Sequence, residues 1–345
     1  MTTASAPGKI ILFGEHAVVY GQPAIAVPVP QVRATAVITP APHAGILLAA
    51  ADFGQNVWWH KASPTHPLAA AVHALASQLT LAEQDQSLSH LTITVSSTIP
   101  VASGLGSGAA IAAALIRALA LHLGRADLAT PAAVSALTYE VERIHHGTPS
   151  GIDNTVVSYE QPVYFVRDLA TAAPDILERL HTTGLSDLPA PALEPFAVGQ
   201  PITLLIGYTG VAAPTKESVG DVRRQWLADA PAFNALFAAC GRIAQQARHA
   251  LAAGDTASLG RLMWDNHALL QEMTVSSAEL DALVVAARTA GALGAKLSGG
   301  GRGGNMIALV TAETSAAVRH ALLTAGAHTV LEMVLGRDWL SGLAE

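Results

Sequence analysis

The sequence predicts an α+β protein of two domains. Three observations lead there. Strand and helix patterns alternate through the first half of the chain. A segment from Thr171 to Pro201 then carries Pro174, Pro189, Pro191, Pro195 and Pro201 with little periodicity. After it come a strand, three helical stretches, and a closing strand, glycine loop, strand, helix and strand. The chain has 345 residues, of which 51% are hydrophobic and 13% charged, enough for two cores. The division is drawn at residues 1–185 and 186–345.

Lys9–Phe13, Ala34–Ile38 and Leu91–Val95 read as strands from their β-branched residues and period of two. Pro67–Leu79 reads as a helix with proline in its first turn. The alanine-rich run Ala109–Leu123 is a second helix. Thr130–Ile144 is a third, with Thr130 as N-cap and Pro131 at its first position. In the second half, Ile202–Ile206 reads as a strand. Pro231–Ala253, Thr256–Met273 and Ala278–Ala290 read as helices, the last with Ser276 and Glu279 at capping-box spacing. Ser315–Ala325 is a helix and Thr329–Leu335 a final strand.

Composition excludes several classes. The net charge of −7 argues against broad binding to nucleic acid or to a membrane surface. Mean hydropathy is +0.38, yet no uninterrupted apolar run reaches the ~18 residues of a membrane span. Ala109–Leu123 is broken by Arg117 and His122. The start MTTASAPGK lacks the basic opening of a secretory signal. The single cysteine, Cys240, allows no intrachain disulfide. A cytoplasmic protein is the expectation.

Ile99–Ala110, IPVASGLGSGAA, is the most informative stretch. It joins a strand to a helix through three glycines and two serines in six residues. Glycine lets backbone approach a ligand, and a helix start presents free N–H groups and a positive dipole end. That combination is a phosphate cradle, which points to a nucleotide. The loop also fits G-x-G-x-x-A, but a dinucleotide site needs an acid closing a second strand about 20 residues on. Asp127 is near that spacing and follows a helix end. A second glycine stretch, Gly299–Gly304, runs into a strand, and neither loop is a Walker A sequence.

Two further clusters carry candidate chemistry. Ala6–Gly21, APGKIILFGEHAVVYG, delivers Lys9 to a strand start and brackets Glu15 and His16 with glycines. Glu142–Thr155, ERIHHGTPSGIDNT, places Glu142 in the last turn of a helix and Asp153 at the start of a short apolar run, read as a strand. A carboxylate with a hydroxyl is a hard-oxygen pair that suits Mg²⁺. His145 and His146 are adjacent and point apart, so they make no metal array. Asp52-Phe53-Gly54 spells a kinase motif without its companions and is read as coincidence.

Three blocks in order, APGKIILFGEH, PVASGLGSGAA and KLSGGGRGGN, resemble the GHMP kinase superfamily, and HGTPSGIDN with YTGVAAPTKESV resembles its mevalonate kinase branch. The resemblance spans Ala6 to Asn305. It implies an N-terminal domain like the second domain of ribosomal protein S5 and a ferredoxin-like C-terminal domain. It implies ATP and Mg²⁺ as cofactors, mevalonate as the small-molecule substrate, and phosphorylation of its primary hydroxyl in isoprenoid precursor synthesis. By the same resemblance Asp153 and Lys9 are the reacting pair. Pro100, Ser103, Gly104, Leu105, Gly106, Ser107, Gly108 and Ala109 hold the nucleotide. Ser107 and Glu142 hold the metal, and Glu15, His16, Arg167, Thr215 and Gly300 contact substrate. Neither nucleic acid nor membrane is an expected partner, and a homodimer is allowed.

The chain departs from the family in two places. Gly108 stands where the central loop usually has a second serine, and Arg302 stands among the glycines of the third block, open to a phosphate or to solvent. Four alternatives remain at this point: a GHMP kinase acting on phosphomevalonate, homoserine or a sugar, the related ATP-dependent decarboxylase, a non-catalytic sensor on the same fold, and an NAD-dependent oxidoreductase built on the Gly104 loop. Ala17-Val18-Val19 after the Glu-His pair suits a branched aliphatic substrate better than a sugar.

Overall fold

The fold is given by a computed structural model, which describes residues 1–80, 86–100, 103–146, 149–166, 192–194, 196, 198–212 and 215–336. Those residues form two compact units. The first comprises Met1–Lys9, Pro28–Pro100 and Gly106–Glu160. The second comprises the described residues of Ile10–Val27, Val101–Leu105 and Gln161–Glu345. The units are discontinuous in sequence because strands β1 (Thr2–Phe13) and β2 (Ala24–Pro40) each contribute residues to both. A single cut at 185/186 therefore differs from the contact-defined partition, which leaves the first unit at Glu160.

In the first unit β5 (Leu91–Ser97) pairs antiparallel with β2 over Ala34–Pro40 and parallel with β3 (Ile46–Ala50). β3 pairs antiparallel with β4 (Gln55–Trp58). Leu91, Ile93 and Val95 are buried and their neighbours are not, the alternation of a sheet with one covered face. The cover is helical. α2 (Ser107–His122) packs on β5 and against α1 (Pro67–Gln78), α3 (Pro131–His146) and α4 (Ile152–Tyr159). Its small side chains permit burial all round: Ala109, Ala110, Ala112, Ala113, Ala114, Ala118 and Ala120 are all interior. Thr130 caps α3 as expected, its hydroxyl accepting from the Ala133 amide.

In the second unit an antiparallel sheet has the order β11 (Thr329–Leu335), β8 (Ile202–Tyr208), β10 (Asn305–Val310), β9 (Gly294–Ser298). All of β9 and β10 is buried. Five helices accompany this sheet in the chain: α5 (Thr215–Ala228), α6 (Ala230–Ala253), α7 (Thr256–Glu272), α8 (Ala278–Thr289) and α9 (Ser315–Thr324). α7 and α8 pack on β9, and α9 packs on α8, β8 and β11. The core holds Leu205, Phe237, Leu270, Leu283, Leu297 and Met306. Tyr20 stacks on Phe237, with ring centroids 4.0 Å apart. In the same unit Ala24–Ala26 of β2 pair with β6 (Val163–Val166), which pairs with β7 (Ala192–Glu194).

Two local expectations are corrected, and the coincidental reading of Asp52-Phe53-Gly54 stands. Asp153 does not begin a strand: Ile152–Tyr159 is helical. Gly151, with φ near +91°, starts it, and the Thr155 hydroxyl donates to the Gly151 carbonyl at 2.6 Å. A short apolar run cannot by its period distinguish a strand from a buried helix. The cap of α8 is Ser277, whose hydroxyl accepts from the Leu280 amide, and Ser276 instead donates to Asp281. The kinase-like Asp52 accepts from the Ser97 amide at 2.6 Å, a structural contact.

Candidate active site

The first unit gathers the lysine, both acids and the helix that opens the central glycine loop. Lys9 lies on β1 with 4% of its surface exposed. Its Nζ stands 3.0 Å from Oδ1 of Asp153 in the first turn of α4, where a helix dipole favours a carboxylate. Asp153 is one-third exposed and open to an incoming group. The next residue, Asn154, is locked by donating to the Ser135 carbonyl at 3.1 Å and the Ser135 hydroxyl at 2.9 Å. That lock sets the rotation of α4 and hence the direction of Asp153.

The Lys9 stem crosses the start of α2. A Cβ placed on Gly106 would lie 3.0 Å from Lys9 Cγ and 3.1 Å from its Cε. Gly106 also has φ of +72°, so two independent reasons require glycine. Gly106→Ala is expected to lower turnover at least ~10-fold by displacing Lys9. A kcat within error of wild type would show that the lysine stem can move aside.

Glu142, near the end of α3, is 4% exposed and reaches the same helix start: a Cβ on Gly108 would lie 3.4 Å from its Oε1. Burial, reinforced by the Asp153 charge and opposed by Lys9, pushes its pKa up to about 8. A buried acid of this kind gains from a cation. Among the described residues no cluster of three or more His, Cys, Asp or Glu forms a metal cage. One buried carboxylate at the helix start that carries Ser107 fits Mg²⁺, which keeps waters and phosphate in its shell. The first amides of α2, from Ser107 to Ala109, have no acceptor within the helix, and the N-cap residue, Gly106, supplies no side-chain cap. They suit an anion.

The second unit holds the Glu15-His16 pair and both glycine-loop partners. His16 has φ of +57° and its Nε2 donates to the Gly300 carbonyl at 3.1 Å. Ser218 of α5 also donates to that carbonyl. A Cβ on Gly300 would lie 3.3 Å from the Thr215 Oγ1, so these two expected substrate residues are neighbours. Among the described residues Nδ1 of His16 is buried with no hydrogen-bond partner. Burial, aided by the Arg302 charge and opposed by the Gly300 bond, lowers the His16 pKa to about 4. His16 is therefore neutral at pH 7 and offers Nδ1 as an acceptor.

A stability consequence follows. The unfolded chain takes up a proton on His16 below about 6.5 and the folded chain only near 4. Stability from this group is present above 6.5 and lost as pH falls through 4. His16→Gln should remove that acid-side slope, on the order of 3 kcal/mol at most. Urea unfolding across this window measures it, and parallel slopes in both proteins would refute the assignment.

Glu15 departs from expectation. It is fully buried in an ion pair with Lys296 of β9, which also donates to the Leu297 carbonyl at 2.7 Å. Burial pushes the Lys296 pKa down, and Glu15 opposes that shift. The Glu15 carboxylate is committed to the interior of its unit, not presented to a ligand. Arg302 ion-pairs with Asp221 of α5, which answers the choice between phosphate and solvent with a protein partner.

The central glycine loop divides between the units. Ser103 and Leu105 are buried in the second, where Asn305 donates to the Ser103 carbonyl and Gly104 lies beside Asn305. Pro100, half-buried, Gly106, Ser107, Gly108 and the buried Ala109 belong to the first. Leu105 and Ala109 have interior side chains, so only their backbone can face a nucleotide. Arg167 lies outside the described residues. Sequence reasoning assigns no role to Lys296, Ser218, Asn154, Asp221 or Asn305. A lysine inside the apolar run Gly294–Ser298 is the one signal that could have flagged Lys296.

A lysine–aspartate pair beside an uncapped helix start, with a buried acid at the same start, is equipment for phosphoryl transfer to a small molecule. The chain belongs to the GHMP kinases: the family's N terminal domain matches residues 68–161 and its C terminal domain residues 247–328. Its relatives are more specific. The mevalonate kinase of Thermococcus onnurineus is 34% identical over 340 residues, spanning 94% of this chain and 93% of its own. That of Aeropyrum pernix is 35% identical over 314 residues, spanning 89% and 87%. Among solved structures, L. major mevalonate kinase in complex with R-mevalonate aligns with a TM-score of 0.76 at 28% identity, covering 98% of this chain and 97% of that one. Among the described residues no helix is long and apolar enough to cross a membrane.

Proposed function

We propose that this enzyme transfers the γ-phosphate of ATP to the primary hydroxyl of mevalonate, giving 5-phosphomevalonate and ADP. The observation that carries the reading is the Lys9–Asp153 pair, 3.0 Å apart, with the lysine stem laid across the start of α2. Asp153 accepts the hydroxyl proton as the oxygen forms its bond to the γ-phosphorus and the bond to the bridging oxygen of ADP breaks. Lys9 stabilises the deprotonated oxygen and charge on the transferred group. The amides from Ser107 to Ala109 hold phosphate oxygens. Ser107 and Glu142 are the residues that would hold Mg²⁺, which supplies neutralisation of phosphate charge. By the family resemblance His16 and Thr215 contact the substrate. The substrate assignment is supported by the mevalonate kinase relatives and by the likeness to a mevalonate-bound structure.

The test is an ADP-release assay coupled to NADH oxidation, offering mevalonate, phosphomevalonate, mevalonate diphosphate, homoserine and galactose side by side. The expected result is turnover with mevalonate and a new phosphomonoester signal by ³¹P NMR. ADP release only with another acceptor would replace the substrate. CO₂ release would mark the decarboxylase, and no ADP with any acceptor would remove the reading.

A further inference from the structure

We propose that Arg117, acting with Arg33 and Glu160, is a positioning clamp that sets the geometry of the Lys9–Asp153 pair. The proposal rests on the reading of Asp153 as the base. Lys9, Asp153 and the helix that opens the glycine loop lie on β1, α4 and α2, and those three elements meet a second time at one guanidinium. Arg117 lies in the interior of α2. Its Nη1 donates to the Ser5 carbonyl of β1 at 2.7 Å and to Oε1 of Glu160 at 2.8 Å. Its Nη2 donates to the Ser158 carbonyl near the end of α4 at 2.7 Å. Arg33 of β2 completes the set: its Nε donates to the Ser5 hydroxyl at 3.0 Å and its Nη2 to Oε2 of Glu160 at 2.7 Å. Both carboxylate oxygens of Glu160 are thus engaged, one by each arginine.

The chain path makes this contact consequential. Ser5 precedes Lys9 on the same strand, and Glu160 closes the short helix whose first turn carries Asp153. Glu160 has φ of +54°, a left-handed closure of α4. α4 packs on α2 and α3 with six of its eight residues buried, and the arginine fork is what ties its last turn to β1. A planar fork that bonds both elements at once fixes their register, which a lysine ammonium in the same place does not. The Arg117 side chain is 16% exposed, so its bonds are largely shielded from water. Small displacements of a base relative to its hydroxyl are costly in rate.

The experiment is a double-mutant cycle on the full-length enzyme with mevalonate and ATP. Arg117→Lys and Glu160→Gln are each expected to fold and to lower kcat ~10-fold, with both KM values within about twofold. In the Asp153→Asn background the same substitutions should reduce kcat no further, because the geometry they set no longer serves a base. A purely structural clamp would give the same fold-loss in both backgrounds, and that result overturns the proposal. So does unchanged kcat in both clamp variants, or a rise in KM alone. Should Glu160→Gln fail to fold, Arg117→Lys, which keeps the charge and most of the stem, carries the cycle. Near-normal turnover by Asp153→Asn alone would overturn the base assignment instead, whatever the clamp variants do.

Discussion

Asp153→Asn should lower kcat by ~10²-fold or more while leaving the fold intact. The substitution keeps the shape of the side chain and an oxygen for Lys9, so the 3.0 Å contact can persist as a hydrogen bond. What is lost is the lone pair able to take the proton of the attacking hydroxyl. The neighbouring lock from Asn154 to Ser135 and the Thr155 bond to Gly151 do not involve the changed group, so α4 stays in place. Steady-state kinetics with mevalonate, alongside a thermal melt, separates loss of chemistry from loss of structure. Turnover close to wild type would mean that the proton leaves by another route.

Lys296→Met should cost about 3–5 kcal/mol of stability, the scale for stranding one member of a buried ion pair. Both side chains of the Glu15–Lys296 pair are wholly inaccessible to water. Removing the ammonium leaves the Glu15 carboxylate in an apolar interior beside Phe13 and near Cys240. It also removes the donor that satisfies the Leu297 carbonyl. Replacing both partners, as Glu15→Leu with Lys296→Met, should recover most of the loss, since two well-packed apolar side chains carry no desolvation penalty. Urea unfolding of the two variants decides it. A single variant as stable as wild type would mean that water or a protonation change relieves Glu15.

Much of the candidate site is legible in the sequence. Gly106 is recognisable as backbone that needs freedom at a helix start, and the structure supplies the positive φ and the crossing lysine stem. The spacing of Glu142 and Asp153 around a glycine-rich turn predicts two acids that can converge, and both do lie near Lys9 in the first unit. Other assignments were not legible. Glu15 looks like a ligand contact because it adjoins His16 between glycines, yet its carboxylate turns to a lysine far along the chain. Charge pairing over such separation has no local pattern in sequence. Asp153 on a helix and α5 beginning at Thr215 were hidden for another reason: both segments are short or mixed in polarity, so their period is weak. The clamp at Arg117 was hidden because an arginine on a buried alanine-rich helix looks like a mere interruption of an apolar run.

By itself the sequence determined the α+β class, the long helices, the loop that suits phosphate, and the residue types available for acid–base work. These follow from local physics: periodicity, capping, and the conformational freedom of glycine act over a few residues. Only the tertiary structure decided which of those residues act on one another. It set Lys9 against Asp153, turned Glu15 inward to Lys296, gave Arg302 to Asp221, and aimed the His16 ring at the Gly300 carbonyl. The reason is that ion pairs and burial depend on distance in space. Packing within each unit sets those distances, and no local signal encodes them.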